Sequence, residues 1–270
     1  MSAAELAGYG LAVLVGILLG CLGGGGAILT VPILVYAFEV PVRQAVPMSL
    51  MVVGLVSVVG MLRHARAGQL RAAAALNFGP FAIVGAYLGS FVALRVSGRL
   101  QLTVFAVTLL AAALPMLRPG PTTAAPRRHT PVPALALLGA AVGFLTGFIG
   151  VGGGFLYVPA LVLLLGLDMK AAVATSLALI SLTCAAGLVG YLGKVALDWP
   201  LLLSFTGLAL VGVTVGTSLV PFVPQRALRR CFGVLLLLMG TYVLIRGERR
   251  PEERSTAAPP ESKQGAPVIG

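Results

Sequence analysis

The sequence predicts an all-α polytopic membrane protein with about eight transmembrane helices in two homologous four-segment halves. Three observations carry that prediction. Of the 270 residues, 58% are hydrophobic and 10% charged, where a soluble domain carries roughly 25% charged residues. Apolar runs nearly free of charge recur along the whole chain, each long enough to cross a bilayer core of about 30 Å. And one glycine-rich stretch occurs twice: Gly16–Val35 and Gly143–Val162 are identical at 11 of 20 positions, without a gap, at an offset of 127.

Taken in order, the first apolar segment runs from about Leu6 to Phe38 and holds the first glycine cluster, Gly23, Gly24, Gly25 and Gly26. Segments at about Gln44–Leu62, Ala72–Leu94 and Leu100–Leu117 complete a first half, residues 1–117. Residues 118–131 are polar, with four prolines and no apolar periodicity, and read as a linker. The fifth segment, about Val132–Gly166, holds the second cluster, Gly150, Gly152, Gly153 and Gly154. Segments at about Ala171–Gly193, Trp199–Val223 and Ala227–Ile245 follow, so the second half is 132–246. Residues 247–270 are charged and Pro-rich, the composition of a disordered tail. The offset of 127 persists beyond the glycines, pairing Ser49 with Ser176, Gly60 with Gly187, Gly85 with Gly212 and Phe105 with Phe232. Internal duplication of this kind is a property of transporters, with the substrate site where the halves meet.

Three or four adjacent glycines inside a run of Leu, Ile and Val cost about 1 kcal/mol each relative to Ala in a helix. At both places the sequence therefore predicts a broken helix. Broken backbone is tolerated at membrane depth only where it is buried in protein or lines a wet cavity. The helix that restarts after the break points its free N–H groups and positive dipole end into that cavity, which favours an anion. Pro32 and Pro159 follow each cluster and are structural, kinking or limiting the second helix. The spaced pairs Gly16/Gly20, Gly85/Gly89, Gly143/Gly147 and Gly212/Gly216 read instead as helix-packing positions.

The first and fifth segments, about 33 and 35 residues long, exceed one ordinary crossing. If each passes straight through, twelve basic residues collect on the N-terminal side against seven opposite, which places both termini in the cytoplasm and the chain in the cytoplasmic membrane. If each turns back at its glycines, every half has five passes, the repeats are inverted, and the count of nine against ten carries no orientation. Length and charge together favour single, broken crossings.

Absent residues narrow the chemistry. All eight acids lie at segment ends, in loops or in the tail. Cation carriers and proton relays hold a carboxylate at membrane depth, so an anion held by amides and hydroxyls is the better match. Ser49, Thr175 and Ser176 are the candidate hydroxyls, with Arg43 and Lys170 shortly before them and Asn77 and Tyr191 as polar outliers. His64 sits among arginines and reads as solvated. The three cysteines have unrelated spacings and form neither a disulfide framework nor a metal site. No nucleophile–base pair, metal constellation or cofactor motif is present, so an enzyme is not predicted. The charge of +11 is scattered between apolar runs and excludes a nucleic-acid face.

At the two glycine blocks leading into Val31-Pro32 and Val158-Pro159, and at Ala172–Leu177 with its weaker partner Ala45–Leu50, the sequence resembles the TauE/SafE family of membrane proteins. The resemblance covers about Leu6 to Ile245. It implies a secondary transporter of about eight spans, formed by duplicating a four-span unit. Members of that family are linked to sulfite, sulfoacetate and sulfonates. The expected partners are thus a small, sulfur-containing anion and the lipid bilayer; a homo-oligomer, a channel of the same fold and a non-transporting scaffold stay open. The sequence departs at Pro47-Met48, where the second half has Ala174-Thr175, so the halves need not contribute equally.

Overall fold

The computed structural model describes residues 3–117, 132–150, 154–163, 165–191 and 193–247. The linker, the tail and Gly152 and Gly153 of the second cluster lie outside the described residues. Ten α-helices and no strand occur among those described. They are α1 (Ala3–Leu22), α2 (Gly25–Tyr36), α3 (Val42–Arg66), α4 (Ala72–Ala93) and α5 (Gly98–Leu117), then α6 (Val132–Ile149), α7 (Gly154–Leu163), α8 (Met169–Tyr191), α9 (Trp199–Leu219) and α10 (Gln225–Gly247). Helices α8, α9 and α10 begin 127 positions after α3, α4 and α5.

The count is ten rather than eight because the first and fifth segments each hold two helices. Helix α2 runs back along α1: Gly26 lies against Val15 and Leu19, and Phe38 against Gly8 and the ring of Tyr9, whose centroid is 5.2 Å away. The chain therefore reverses at Gly23 instead of passing straight through. Gly23 makes this possible by holding φ at +68°, and Gly150 at the equivalent position holds +78°, a region that costs an L-residue about 1–2 kcal/mol. Each half holds five helices, an odd number, so equivalent helices of the two halves point in opposite directions. Equivalent helices α3 and α8 accordingly run antiparallel, with Leu50 against Gly187, Gly54 against Cys184 and Gly60 against Leu177.

Among the described residues, six helices are long and apolar enough to cross a membrane. With 12 residues, α2 spans only about 18 Å, less than a bilayer core. It survives because protein covers it: every residue from Gly25 to Val35 is buried. Helix α7 is likewise buried at Gly154, Phe155 and Tyr157–Leu161. Around this central pair stand α3 and α8, with α5 and α10 beyond, joined for example by the Phe105–Phe155 ring contact at 5.9 Å.

The outer pairs are sealed by the spaced glycines, as their pattern predicts. Gly16 and Gly20 on α1 meet the backbone of Ala209, Val213 and Thr217 on α9, with Gly212 and Gly216 returning the contact at Val13 and Ile17. Gly143 and Gly147 on α6 meet Ala82 and Ala86 on α4, and Gly85 and Gly89 meet Ala140 and Phe144. A methyl group at these positions would overlap backbone, so backbone-to-backbone van der Waals contact is what joins the pairs. Large apolar side chains such as Leu76, Val84, Leu203, Leu238 and Phe222 are left exposed on the outside, as a lipid-facing surface requires.

Candidate functional site

The two reversals begin alike. Gly23 N–H donates to Leu19 O at 2.9 Å and Gly150 N–H to Thr146 O at 2.9 Å, ending α1 and α6 in the same way. The chains then meet. A Cβ built on Gly24 would come 2.5 Å from Gly154 Cα, and one on Gly154 would come 2.9 Å from Gly23 O and overlap Ile180. Gly24 is the residue before α2, and Gly154 is the first residue of α7. The N-termini of the two short buried helices thus converge on one point, and no side chain caps α2 there. Each helix end carries roughly half a positive charge. Glu39, Asp168 and Asp198, the acids whose side chains are described, stand outside the helices at their connections.

The predicted hydroxyls fall into three different states. Ser176 Oγ lies 2.9 Å from Gly23 O and 2.8 Å from Val173 O, so its proton closes the first turn. Thr175 Oγ1 accepts from Arg71 N–H at 3.2 Å, fastening the start of α4 to α8. Ser49 Oγ is fully buried and has no partner. It shares a face of α3 with Val46, against which Gly150 packs. Leaving a buried hydroxyl unsatisfied costs about 1–3 kcal/mol.

Among the remaining sequence candidates, Gly25 and Gly26 are buried in the first turn of α2. Gly25 faces Leu22 and Leu235 of α10 at 3.0 and 3.1 Å. Pro32 and Pro159 sit inside α2 and α7. Lys170 Nζ donates to Pro221 O at 3.3 Å and Arg43 is exposed, so neither is brought to the glycine turns. Asn77 is exposed on α4. His64 is not solvated: it is 3% exposed, with Nε2 3.0 Å from Gly20 O and Nδ1 2.7 Å from Gln69 Oε1. The packing of α3 against α1 buries it, which neighbouring arginines in the sequence concealed. Tyr191 donates its hydroxyl to Gly147 O at 2.9 Å.

Further buried polar groups escaped the sequence reading. The Tyr157 hydroxyl has no partner of hydrogen-bond geometry and lies beside Thr146 and Thr183, which donate to carbonyls of their own helices at 2.9 and 2.8 Å. Ser57 Oγ is buried and unpartnered on α3. Gln101 Nε2 donates to Ala93 O and Phe148 O at 3.2 Å each, clamping the end of α6 just before Gly150. The signal for Tyr157 was its position inside the duplicated block. Single hydroxyls in apolar helices otherwise look alike, because most bond their own backbone. A cavity of about 240 Å³ opens at the α8–α9 connection, lined by Pro47, Leu188, Tyr191, Leu197 and Trp199. No three His, Cys, Asp or Glu side chains gather as a metal site among the described residues.

A lipid-facing bundle enclosing two short, inverted, glycine-started helices defines a polytopic membrane protein of the transporter class. The chain belongs to the sulfite exporter TauE/SafE family, which matches residues 9–243. It is 30% identical over 240 residues to a probable membrane transporter protein of Xylella fastidiosa (strain 9a5c), covering 86% of this chain and 92% of that one. It is 31% identical over 192 residues to the probable membrane transporter protein MJ0441 of Methanocaldococcus jannaschii, covering 67% and 72%. Against the probable membrane transporter protein YdhB of Bacillus subtilis it is 26% identical over 237 residues, covering 86% and 96%. No solved structure matches.

Proposed function

We propose that the protein is a secondary transporter that moves a small anion of the sulfite or sulfonate class by alternating access between its two inverted halves. The observation that carries this reading is the meeting of the α2 and α7 N-termini at Gly24 and Gly154. Two such ends sum to about one positive charge, set in a buried site with bare backbone and no carboxylate among the described residues. That combination suits a monoanion whose oxygens accept from amide N–H groups and from the unpartnered Ser49 hydroxyl. Glycines at Gly23–Gly26, Gly150 and Gly152–Gly154 supply the approach, and Ser176 and Thr175 hold the surrounding backbone in place. The anion's sulfur content is the part carried by family membership.

The test is flux into proteoliposomes. Sulfite or a short sulfonate is expected to accumulate against its gradient when an ion gradient is imposed. Purely downhill flux that ignores ion gradients would identify a channel instead. Gly25→Leu is expected to abolish flux while the protein still inserts; retained flux would overturn the amide-lined site.

A further inference from the structure

Hydrogen bonds and ring contacts group the helices differently from the sequence repeat. Arg63 on α3 donates to Thr214 O of α9 at 3.1 Å, and Cys21 on α1 donates to Gly216 O of α9 at 3.1 Å. The Tyr36 ring on α2 meets that of Tyr242 on α10 at 5.6 Å. On the other side, the Phe78 ring on α4 meets Tyr157 of α7 at 5.9 Å, and Gln101 on α5 bonds Phe148 O of α6. Together with the α1/α9 and α4/α6 glycine seams, these contacts gather α1–α3 with α9 and α10, and α4 through α8 with one another. We propose that the units that move in alternating access are these two exchanged bodies, residues 72–191 against residues 3–66 with 199–247, and not the sequence halves. The inference rests on the transporter reading for the motion, not for the grouping.

The contacts inside a body differ in kind from those between bodies. Inside, the seams are backbone on backbone: a Cβ at Gly16, Gly85, Gly143 or Gly212 would overlap a carbonyl oxygen. Between them, α3 packs on α8 and α5 on α10 through side chains. A Cβ at Gly54, Gly60, Gly233 or Gly240 would meet the side chains of Cys184, Leu177, Leu117 and Leu110 at 2.9–3.1 Å. Side-chain packing of that kind lets helices shear. Single hydrogen bonds also cross the boundary, such as Ser176 to Gly23 O and Arg229 to Pro115 O, and can be exchanged as the bodies move. The chain passes from one body to the other at residues 67–71 and 192–198. Each connection holds a left-handed glycine, Gly68 at φ +70° and Gly193 at +72°, with no atom within 4 Å of where a Cβ would stand. Hinge rotations are absorbed at such element ends. The linker 118–131 joins α5 to α6 and so falls within one body. Gly24 and Gly154 belong to different bodies, which puts the candidate site on the boundary that moves.

Two engineered disulfides, in the full chain with Cys21, Cys184 and Cys231 replaced by Ala, separate the two groupings. Val42→Cys with Gly98→Cys joins α3 to α5, inside one sequence half but across the two bodies; the Cβ positions are 2.9 Å apart. Phe81→Cys with Gly139→Cys joins α4 to α6, across the halves but inside one body, with Cβ positions 3.2 Å apart. Both spacings are near the range of about 3.5–4.5 Å that a disulfide spans. Uptake of a short alkanesulfonate into proteoliposomes is read with each pair oxidised and then reduced, because sulfite would itself cleave the bridge. Oxidising the 42–98 pair is expected to drop uptake to background, restored by dithiothreitol, while oxidising the 81–139 pair leaves uptake unchanged. The inverse pattern, or equal loss in both, would overturn the proposal. If the unmodified chain carries no sulfonate, the transporter reading fails at that substrate, and spin-label distances in lipid nanodiscs decide the grouping, as they do where a reduced pair is inactive. Labels at Leu88→Cys and Leu137→Cys, within one body, are expected to give one narrow distance, and labels at Leu137→Cys and Leu203→Cys, across the boundary, a broader distribution. Equal breadth for the two label pairs would overturn the exchanged bodies.

Discussion

At Gly23 the carbonyl oxygen accepts the Ser176 hydroxyl at 2.9 Å. At Gly150, the position 127 residues on, the equivalent serine is Ser49, and it bonds nothing. Both turns have the same left-handed glycine and the same closing bond from the glycine N–H. Both are fastened alike one turn earlier, Gly20 O by His64 and Gly147 O by Tyr191, and beside the first Thr175 also holds Arg71. Around the second, Ser49 is unsatisfied, and a 240 Å³ cavity lies beside Pro47 and Tyr191. Duplication supplies two frames; a handful of substitutions decides which is sealed and which is left with a donor to offer.

The comparison can be broken most severely at the crossing point. Gly24→Val places a branched side chain into the Gly154 backbone, and sulfite flux in proteoliposomes is expected to fall to background with insertion preserved. Next come the two serines. Ser49→Ala removes an unsatisfied buried group, so the thermal midpoint in detergent is expected to hold or rise, while flux falls about tenfold, the equivalent of one lost hydrogen bond to a charged ligand. Ser176→Ala is expected to do the reverse in stability, costing about 1–3 kcal/mol by orphaning Gly23 O. If both serines behaved alike in a thermal-shift assay, the inequality of the turns would be wrong. Thr175→Val is expected to cost about 1 kcal/mol through the lost Arg71 bond. The smallest effect is expected at the helix starts. Asp168 Oδ1 accepts Ala171 N–H at 3.1 Å at the start of α8, where α3 has the uncapped Pro41. Asp168→Ala should cost about 1 kcal/mol, and Pro41→Asp should raise the midpoint correspondingly.

Much of the fold was readable from residues alone. The apolar runs locate the long helices to within a few positions, and the spaced glycines mark the α1/α9 and α4/α6 seams. The glycine clusters mark where the helices stop. What did not follow was the direction of the chain after them. A left-handed glycine permits both a kink and a reversal, and only packing of Gly26 on Val15 and Leu19 selects the reversal. The charge count, twelve against seven for straight passage, pointed the other way. The candidate site was legible as residue types but not as roles. Ser49 and Ser176 are indistinguishable in sequence, and one of them is consumed by a neighbouring carbonyl. His64 looked solvated because its neighbours Arg63 and Arg66 are, yet one helical face of α3 turns inward and takes it along.

The sequence by itself determined a membrane-embedded helical chain, its internal period of 127 and the positions where helices break. These are properties of composition and local backbone cost, and each residue carries them wherever it sits. Tertiary structure alone decided that the breaks reverse the chain, that the α2 and α7 N-termini meet, and that Ser176 is consumed by the Gly23 carbonyl while its counterpart Ser49 is unpartnered. Those outcomes depend on which groups arrive opposite one another. Hydrogen bonds and backbone contacts in a buried, low-dielectric interior are settled pair by pair, between residues more than a hundred positions apart.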